Sequence, residues 1–298
     1  MRTGRGISVI SSGEPALEHQ NLVNARFGSE ASHWKDMYEG VGHKSATVGS
    51  EVIRERHAAA LAWIDGLALA PGSRVLEVGG GAGIMAVALA RRGFRVDAVD
   101  ASAEMVELTR RNAAEAGCQD LVSASTGDAC ALPFDDGSYD LVVAIGVISW
   151  LAQPDVAVRE MARVTRPGGH VLLTAFNQGQ LIGLLDPLRN PVWRPLKLRA
   201  KRLVERRGLL RASASLTYQS RGAVDGFLSR AGLVKRHERT LGFGPFTLFQ
   251  RQLFPAPSAI ALHRRLQQLA DRGVPGLRVT GMFYLVLADK PGATSRLP

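Results

Sequence analysis

The sequence predicts an α/β protein with a doubly wound, seven-stranded, mostly parallel sheet and helical cap insertions. The first reason is a strand pattern at residues 74–78, followed by glycine at four of the next five positions. The second is the largely apolar segment Tyr139–Ile148, whose lack of apolar/polar alternation is typical of a strand buried on both faces of a parallel sheet. The third is that five strand patterns alternate with helical patterns between residues 74 and 176.

Residues 74–100 form the unit around which the other elements are arranged. Arg74–Val78 alternates around apolar residues and runs into the glycine turn. Ile84–Arg92 has apolar residues at helical spacing and stops at Gly93, and Phe94–Asp100 is a second strand. Such a unit presents bare backbone at a helix N-terminus, where a nucleotide-like ligand can bind.

The remaining elements follow from apolar periodicity and from the turn residues at their ends. Ser102 can cap a helix that Gly117 ends. The other predicted helices span 24–38 (one or two short helices), 51–67, 154–165, 222–231 and 257–270. The other predicted strands span 121–125, 139–148, 170–176, 233–240 and 282–289. Between the last two strands, Phe243, Phe246, Phe249 and Phe254 are expected to pack in the core of a cap rather than line a cleft.

Composition excludes several classes of protein. The 298 residues, 46% of them hydrophobic, suffice for a full core, and no apolar run reaches the length of a membrane helix. A cytoplasmic location is therefore expected, with a position at the periphery of a membrane as the alternative. Cys118 and Cys130 have neither zinc-site nor disulfide-framework spacing, so no metal is expected.

The charge is distributed unevenly along the chain. Residues 1–150 hold 13 Lys+Arg against 19 Asp+Glu, a net −6, whereas residues 151–298 hold 24 against 8, a net +16. The positive charge of the second half can therefore attract a polyanion, an anionic membrane surface or an acidic substrate. Alternatively, it serves only to keep the protein soluble.

Four separated motifs occur in a fixed order. They are E-x-G-x-G-x-G from Glu77, the carboxylate of Asp100 at the end of the second strand, G-D-A at 127–129 before L-P-F, and R-P-G-G at 166–169. In this order they resemble the class I S-adenosylmethionine-dependent methyltransferases of the small-molecule type, and loosely the ubiquinone-pathway and natural-product O-methyltransferases. A dinucleotide fold, which the glycine run alone would also fit, needs neither G-D-A nor R-P-G-G.

The resemblance implies S-adenosyl-L-methionine as cofactor and S-adenosyl-L-homocysteine as its product. It assigns the cofactor's amino group to Glu77, the ribose hydroxyls to Asp100 and the adenine amino group to Asp128, although Asp128 could instead only cap a turn. The full set of cofactor residues that it implies is Glu77, Gly79, Gly80, Gly81, Gly83, Asp100, Ala101, Ser102, Met105, Asp128, Ala129, Ile145, Gly146 and Tyr38.

The acceptor side is less defined by the sequence. The expected substrate-binding residues are Trp34, Ser149, Trp150, Asn177 and Tyr218. A general base is not recognisable, because Ser149 and Trp150 occupy the position after the fourth strand where relatives often carry histidine. His33, His43 and His237 are weak candidates for that base, since a lone histidine is more often a packing or surface residue.

The expected domain organisation has five parts. They are a flexible N-terminus (1–20), a helical cap (21–64), the cofactor-binding core (65–176), a basic helical insertion or lid (177–221), and the C-terminal part of the sheet (222–298) with a cap insertion at 241–277. The basic insertion can close over the substrate cleft, contact an anionic membrane through residues 189–211, or contact nucleic acid.

The expected activity is methyl transfer to an apolar or aromatic small molecule of secondary metabolism, most readily at oxygen. A quinone precursor or other lipid-like substrate at the membrane surface is a close alternative. An RNA or DNA methyltransferase is disfavoured, because Ile145–Ile148 stands where such enzymes have (N/D)-P-P-(Y/F). A cofactor-binding cyclase that does not methylate is the remaining alternative, and a homodimer is one expectation for the assembly.

Overall fold

A seven-stranded sheet forms the centre of the computed structural model, which describes residue 23 and residues 47–187, 190, 199, 216–249 and 251–292. The strands are Arg74–Val78 (β1), Arg95–Asp100 (β2), Val122–Thr126 (β3), Tyr139–Ala144 (β4), Thr165–Phe176 (β5), Val234–Leu241 (β6), Thr247–Leu248 (β7), Arg251–Gln252 (β8) and Phe283–Asp289 (β9). The sheet has the order β3-β2-β1-β4-β5-β9-β6, and β7 pairs with β8 in a separate hairpin. Strands β1 to β5 are parallel and β9 is antiparallel to both its neighbours, so the predicted sheet is confirmed.

Helices cover both faces of the sheet. They are Val48–Asp65 (α1), Ile84–Ala90 (α2), Ala103–Glu115 (α3), Pro154–Val164 (α4), Leu181–Leu185 (α5), Arg221–Arg230 (α6) and Ala256–Asp271 (α7). One buried cluster joins the sheet to α1, α2, α3 and α7, and a second joins it to α4 and α6. This two-sided packing makes the fold doubly wound. None of the helices described here is long and apolar enough to cross a membrane.

Strand β5 begins earlier than the sequence predicts. Helix α4 ends at Val164, and β5 begins at Thr165 instead of His170. The register with β4 shifts between Tyr139 and Leu141, so the R-P-G-G segment bulges out of the ladder. Backbone hydrogen bonds of Gly168 and Gly169 with Lys290 hold this bulge against the chain that follows β9.

Helix α1 begins and ends earlier than predicted, at Val48 and Asp65, and is held from the side by α7. It begins at Val48, because Thr47 and Ser50 form a reciprocal capping box. From α7, Arg264 Nε donates to Glu51 at 3.0 Å and His263 Nε2 lies 3.1 Å from Glu55 Oε2. These contacts fix α1 beside the carboxyl ends of the strands.

The four phenylalanines of the predicted C-terminal cap do not behave alike. Phe243 and Phe246 are buried, as expected for core residues. Phe249 and Phe254 are 59% and 43% exposed, which corrects the expectation that they pack in the core. They belong to the β7–β8 hairpin and the chain just after it.

Candidate functional site

A cavity of about 530 Å³ lies at the carboxyl ends of β1, β2, β3 and β4. Strand β1 has β2 on one side and β4 on the other, so the connections diverge at this point of the sheet. Such a switch point leaves a crevice that open α/β sheets use for ligands. The volume falls within the range of small-molecule sites.

The glycine turn between β1 and α2 lines this cavity with bare backbone. The Gly79 N–H donates to the Val99 carbonyl at 2.7 Å, and Thr109 Oγ1 donates to the Gly81 carbonyl at 2.9 Å. Gly81 has a φ of +53°, and a Cβ at that position would meet no atom within 4 Å. The turn is thus held by its neighbours while leaving room for a ligand to approach Gly81.

Glu77 is a buried carboxyl group at the end of β1. The Ala86 N–H donates to it, but its Oε2 atom has no hydrogen-bond partner among the described residues. Burial raises the pKa of Glu77 to about 8, with a smaller contribution from the nearby charge of Asp100. A buried acceptor without a partner is costly, so a donor or cation in the cavity would be strongly favoured here.

Asp100 holds the turn as well as lining the cavity. Its Oδ2 accepts from the Gly81 N–H and its Oδ1 from the Ser102 N–H, both at 2.9 Å. Burial raises the pKa of Asp100, and these backbone hydrogen bonds oppose that change. Each carboxylate oxygen has a further lone pair, so the group can still accept from a ligand hydroxyl.

Asp128 caps a turn and also lines the cavity, which is compatible with both roles that the sequence left open. Its Oδ1 accepts from the Cys130 N–H at 2.8 Å, which is a turn-capping contact. Asp128 and its neighbours Gly127 and Ala129 also line the cavity.

Two polar residues that line the cavity, Arg56 and His57, were not predicted from the sequence. Arg56 is buried, its guanidinium carbon lies 4.5 Å from the centroid of the Phe283 ring, and it approaches Gly146. His57 also lines the cavity; burial, then the charges of Arg56 and Arg92, lower its pKa to about 4. The imidazole is therefore neutral at physiological pH.

The side of the cavity near β4, β5 and β9 is apolar. Phe176 and Phe283 come from the facing ends of β5 and β9, with ring centroids 4.5 Å apart. The other apolar residues on this side are Val147, Trp150 and Leu151. The two phenylalanines were missed, because only the pairing of β5 with β9 brings their distant positions together.

The structure brings most of the predicted cofactor residues together. Those that line the cavity are Glu77, Gly79, Gly80, Gly81, Asp100, Ala101, Ser102, Met105, Asp128, Ala129, Ile145 and Gly146. Of the predicted acceptor residues, Trp150 lines it too. Gly83 does not: a Cβ there would lie 2.7 Å from Thr109 Cγ2, so this glycine permits the close approach of α3.

Four further predicted residues do not line the described cavity. Buried Ser149 accepts from the Phe176 N–H at 2.8 Å, and Asn177 donates to the carbonyls of Val279 and Gly281 at 2.9 Å. The side chains of Ser149 and Asn177 thus form hydrogen bonds with the backbone of distant parts of the chain. Tyr218 packs behind Phe176, with ring centroids 5.9 Å apart. His237 lies mid-strand on β6, 5.8 Å from the Trp63 ring and away from the cavity.

The remaining predicted site residues are His33, Trp34, Tyr38 and His43, and they lie outside the described residues. The same holds for most of the basic insertion. Within the described ranges, no three or more histidine, cysteine and acidic side chains are grouped so that they could hold a metal ion. The expectation of no metal stays a prediction.

The sequence was compared with protein families and with curated proteins. Residues 76–173 match the family described as methyltransferase domain. The chain is 34% identical over 125 residues to the ubiquinone biosynthesis O-methyltransferase of Paracidovorax citrulli, covering 42% of this chain and 52% of that protein. It is 36% identical over 145 residues to the demethylmenaquinone methyltransferase of a Parafrankia species, covering 44% and 52%. The chain thus spans about half the length of these curated relatives.

Solved structures share the fold at low sequence identity. Magnesium protoporphyrin IX methyltransferase from Synechocystis, solved with bound S-adenosylhomocysteine, superposes with a TM-score of 0.59 at 17% identity, over 91% of this chain and 99% of that one. The [4+2]-cyclase SpnF superposes with a TM-score of 0.51 at 20% identity, over 79% and 81%. The fold is therefore that of the methyltransferases, and the same fold also occurs in a cyclase.

Proposed function

We propose that this chain, whose residues 76–173 form a methyltransferase domain, transfers a methyl group from S-adenosylmethionine to an apolar or aromatic small molecule, most readily at oxygen. The observation that carries the proposal is the cavity at the switch point, where a bare glycine turn lies between the unpartnered Glu77 Oε2 and the Asp100 carboxylate. An amino-acid nucleoside fits these groups, because it brings both a cation and hydroxyl donors.

The chain's polar residues are suited to both ends of this cofactor. Asp100 accepts from the ribose hydroxyls, and Asp128 accepts from the adenine amino group. Glu77 receives the ammonium of the amino-acid tail. Arg56, the only arginine or lysine among the described residues of the cavity lining, binds the tail's carboxylate.

The apolar side of the cavity receives the acceptor. When bound, the cofactor supplies an activated methyl group on a sulfonium. Phe176, Phe283 and Trp150 exclude water and orient the acceptor, which is most of what a displacement with an activated donor requires. His57 is neutral and can accept a hydrogen bond, but a pKa of about 4 makes it a weak base for taking a full proton.

A quinone precursor or other lipid-like acceptor is the second candidate. The aromatic side of the cavity fits a flat, apolar ring, and two relatives are a ubiquinone biosynthesis O-methyltransferase and a demethylmenaquinone methyltransferase. Contact with an anionic membrane through residues 189–211 stays a prediction, because that segment lies almost wholly outside the described residues. Homodimer formation likewise stays a prediction.

A transfer assay tests the proposed activity. Purified protein is incubated with cofactor labelled in its methyl group and with phenolic, demethylquinone and RNA acceptors. Transfer to a phenolic or quinone acceptor, with formation of S-adenosylhomocysteine, is expected. Tight cofactor binding without transfer to any acceptor would favour the cyclase alternative, and transfer to RNA with a steep salt dependence would favour the nucleic-acid alternative.

Cofactor affinity should rise with pH between about 6 and 8. The Glu77 carboxyl, with a pKa of about 8 in the unliganded protein, is protonated below that pH and must lose its proton to pair with the ammonium. Affinity should therefore fall by up to about tenfold per pH unit below 8. Calorimetric titrations at pH 6, 7 and 8 measure this.

The Glu77→Gln variant should bind the cofactor weakly and with little pH dependence over the same range. Asp128→Asn is the matched control, because it changes another carboxylate that lines the cavity. Its cofactor affinity should depend on pH as it does in the unchanged protein. Equal pH profiles for the unchanged protein and Glu77→Gln would contradict the role given to Glu77.

A further inference from the structure

Two buried hydroxyl groups join the loop after β4 to the end of β5. The backbone pairing of these two strands ends one residue before Thr174. Beyond that point, Thr174 Oγ1 accepts from the Gly146 N–H at 2.7 Å, and Ser149 Oγ accepts from the Phe176 N–H at 2.8 Å. Both hydroxyl-bearing residues are buried. Side chains therefore continue the contact between β4 and β5 where backbone pairing stops.

Ser149 supplies an acceptor that the sheet lacks. Successive N–H groups of a strand point to opposite sides. The Asn177 N–H donates to the Met282 carbonyl, beside β9, so the Phe176 N–H points to the side where β4 has already ended. A buried N–H group without an acceptor is costly, and Ser149 Oγ removes that cost. The Ser149 carbonyl also accepts from the Thr217 N–H at 2.8 Å, so Ser149 holds two distant segments.

The hydrogen bond of Ser149 lies behind the apolar side of the cavity. Phe176 lines the cavity there, and its ring centroid lies 4.5 Å from that of Phe283 and 5.9 Å from that of Tyr218. Trp150, which follows Ser149 in the chain, lines the same side. The Ser149 hydroxyl therefore fixes the backbone from which Phe176 projects, next to the residue that carries the Trp150 ring.

The hydrogen bond of Thr174 lies near the polar groups of the cavity. Its donor Gly146 lines the cavity, and a Cβ at Gly146 would lie 3.1 Å from Arg56 Nη1. Gly146 has a φ of +82°, so the chain bends sharply at the position that Thr174 holds. The Thr174 hydroxyl therefore fixes the loop after β4 beside the arginine proposed to bind the cofactor's carboxylate.

We propose that Ser149 and Thr174 are positioning residues, Thr174 for the cofactor and Ser149 for a flat aromatic acceptor. Neither lines the cavity, so each acts through the backbone N–H group that it accepts from. The inference rests on the proposed function, because it places both reactants in the cavity. Methyl transfer requires the acceptor atom about 3 to 3.5 Å from the methyl carbon and in line with the bond that breaks, so a misplacement of about 1 Å lowers the rate by up to about a hundredfold.

The Ser149→Ala variant tests the acceptor role, with 2-naphthol as a flat aromatic hydroxyl compound. Alanine almost keeps the volume of serine and removes only the acceptor for the Phe176 N–H. The variant should bind S-adenosylhomocysteine like the unchanged protein. It should bind 2-naphthol about tenfold more weakly and transfer the methyl group with a kcat lowered by about tenfold to a hundredfold. Calorimetry, with S-adenosylhomocysteine present when 2-naphthol is titrated, and a labelled-methyl assay measure these effects.

The Thr174→Val variant tests the cofactor role. Valine keeps the shape of threonine without its hydroxyl, so S-adenosylhomocysteine should bind about tenfold more weakly. Thr174→Ser keeps the hydroxyl and should restore most of that affinity. Thr165→Val is the matched control, because Thr165 is buried on the same strand and donates to the Met161 carbonyl at 2.6 Å without lining the cavity. It should lower thermal stability and leave both affinities and kcat unchanged.

The pattern across these variants decides the proposal. It is overturned if Ser149→Ala keeps the 2-naphthol affinity and kcat of the unchanged protein, or if it weakens both ligands equally. It is also overturned if Thr165→Val lowers the affinities as much as the other variants, or if the unchanged protein does not bind 2-naphthol. If the unchanged protein binds both ligands but transfers no methyl group to any acceptor, the proposed function fails, whereas the two affinities still decide the positioning roles.

Discussion

The Gly81→Val variant is expected to fold and to lose measurable cofactor binding, a decrease of more than about a hundredfold. A Cβ at Gly81 would meet no protein atom within 4 Å, so the valine side chain would occupy the space that the cofactor needs. The positive φ of +53° adds about 1 to 2 kcal/mol of backbone strain, which a folded domain can tolerate. Calorimetry with S-adenosylhomocysteine measures the binding.

Gly117→Val is the matched control for that variant. Gly117 has a φ of +66° and also has open space around a Cβ, but it lies on the surface after α3 and does not line the cavity. The two variants should lose similar stability in thermal unfolding, whereas Gly117→Val should bind the cofactor normally. If Gly81→Val binds as tightly as Gly117→Val, the ligand does not lie against the glycine turn.

The Asp100→Ala variant is expected to weaken cofactor binding by about 1.5 to 3 kcal/mol, as for a lost hydrogen bond to a charged group. The structure adds a second effect, because Asp100 also accepts from the N–H groups of Gly81 and Ser102. Removing the carboxylate therefore removes the hydrogen bonds from these two N–H groups as well as the acceptor for the ribose hydroxyls. We expect Asp100→Asn, which keeps one acceptor oxygen, to lose less affinity.

Asp97→Ala serves as the control for position 100. Asp97 lies on the same strand but accepts from the Tyr139 hydroxyl at 2.8 Å, remote from the cavity. Its replacement should lower thermal stability and leave cofactor affinity unchanged. Unaltered affinity in Asp100→Ala would mean that the ribose lies elsewhere.

The sequence was most informative where function constrains the backbone. The turn at 79–83 needs glycine and β2 ends in a carboxylate, so residues close together in the chain predicted a large part of the cavity. Strand β4 is largely apolar on both faces, which made the parallel sheet recognisable. These signals are local, and the structure places most of the residues they identified around one cavity.

What the sequence did not reveal depends on tertiary packing. Arg56 and His57 lie within α1, and the periodicity of a helix indicates only which of its residues face the interior. In this protein the interior beside these two residues is the cavity. Phe176 and Phe283 meet because β9 inserts antiparallel between β5 and β6, a pairing of distant segments. The start of α1 was missed because Ser50 replaces the glutamate or glutamine usual in a capping box.

The exposure of Phe249 was also unpredictable from its neighbours. The segment around it is as aromatic as a core strand, and only the turn position between β7 and β8 turns this ring outward. Hydrophobicity alone does not distinguish a buried aromatic residue from an exposed one.

The most direct test of the central claim is a crystal structure of the protein with S-adenosylhomocysteine. We expect the nucleoside to lie across the glycine turn, with its ribose hydroxyls on Asp100 and its amino-acid tail between Glu77 and Arg56. A complex in which the cavity instead holds a nicotinamide or flavin nucleotide, or in which S-adenosylhomocysteine binds away from Asp100, would contradict the proposed function.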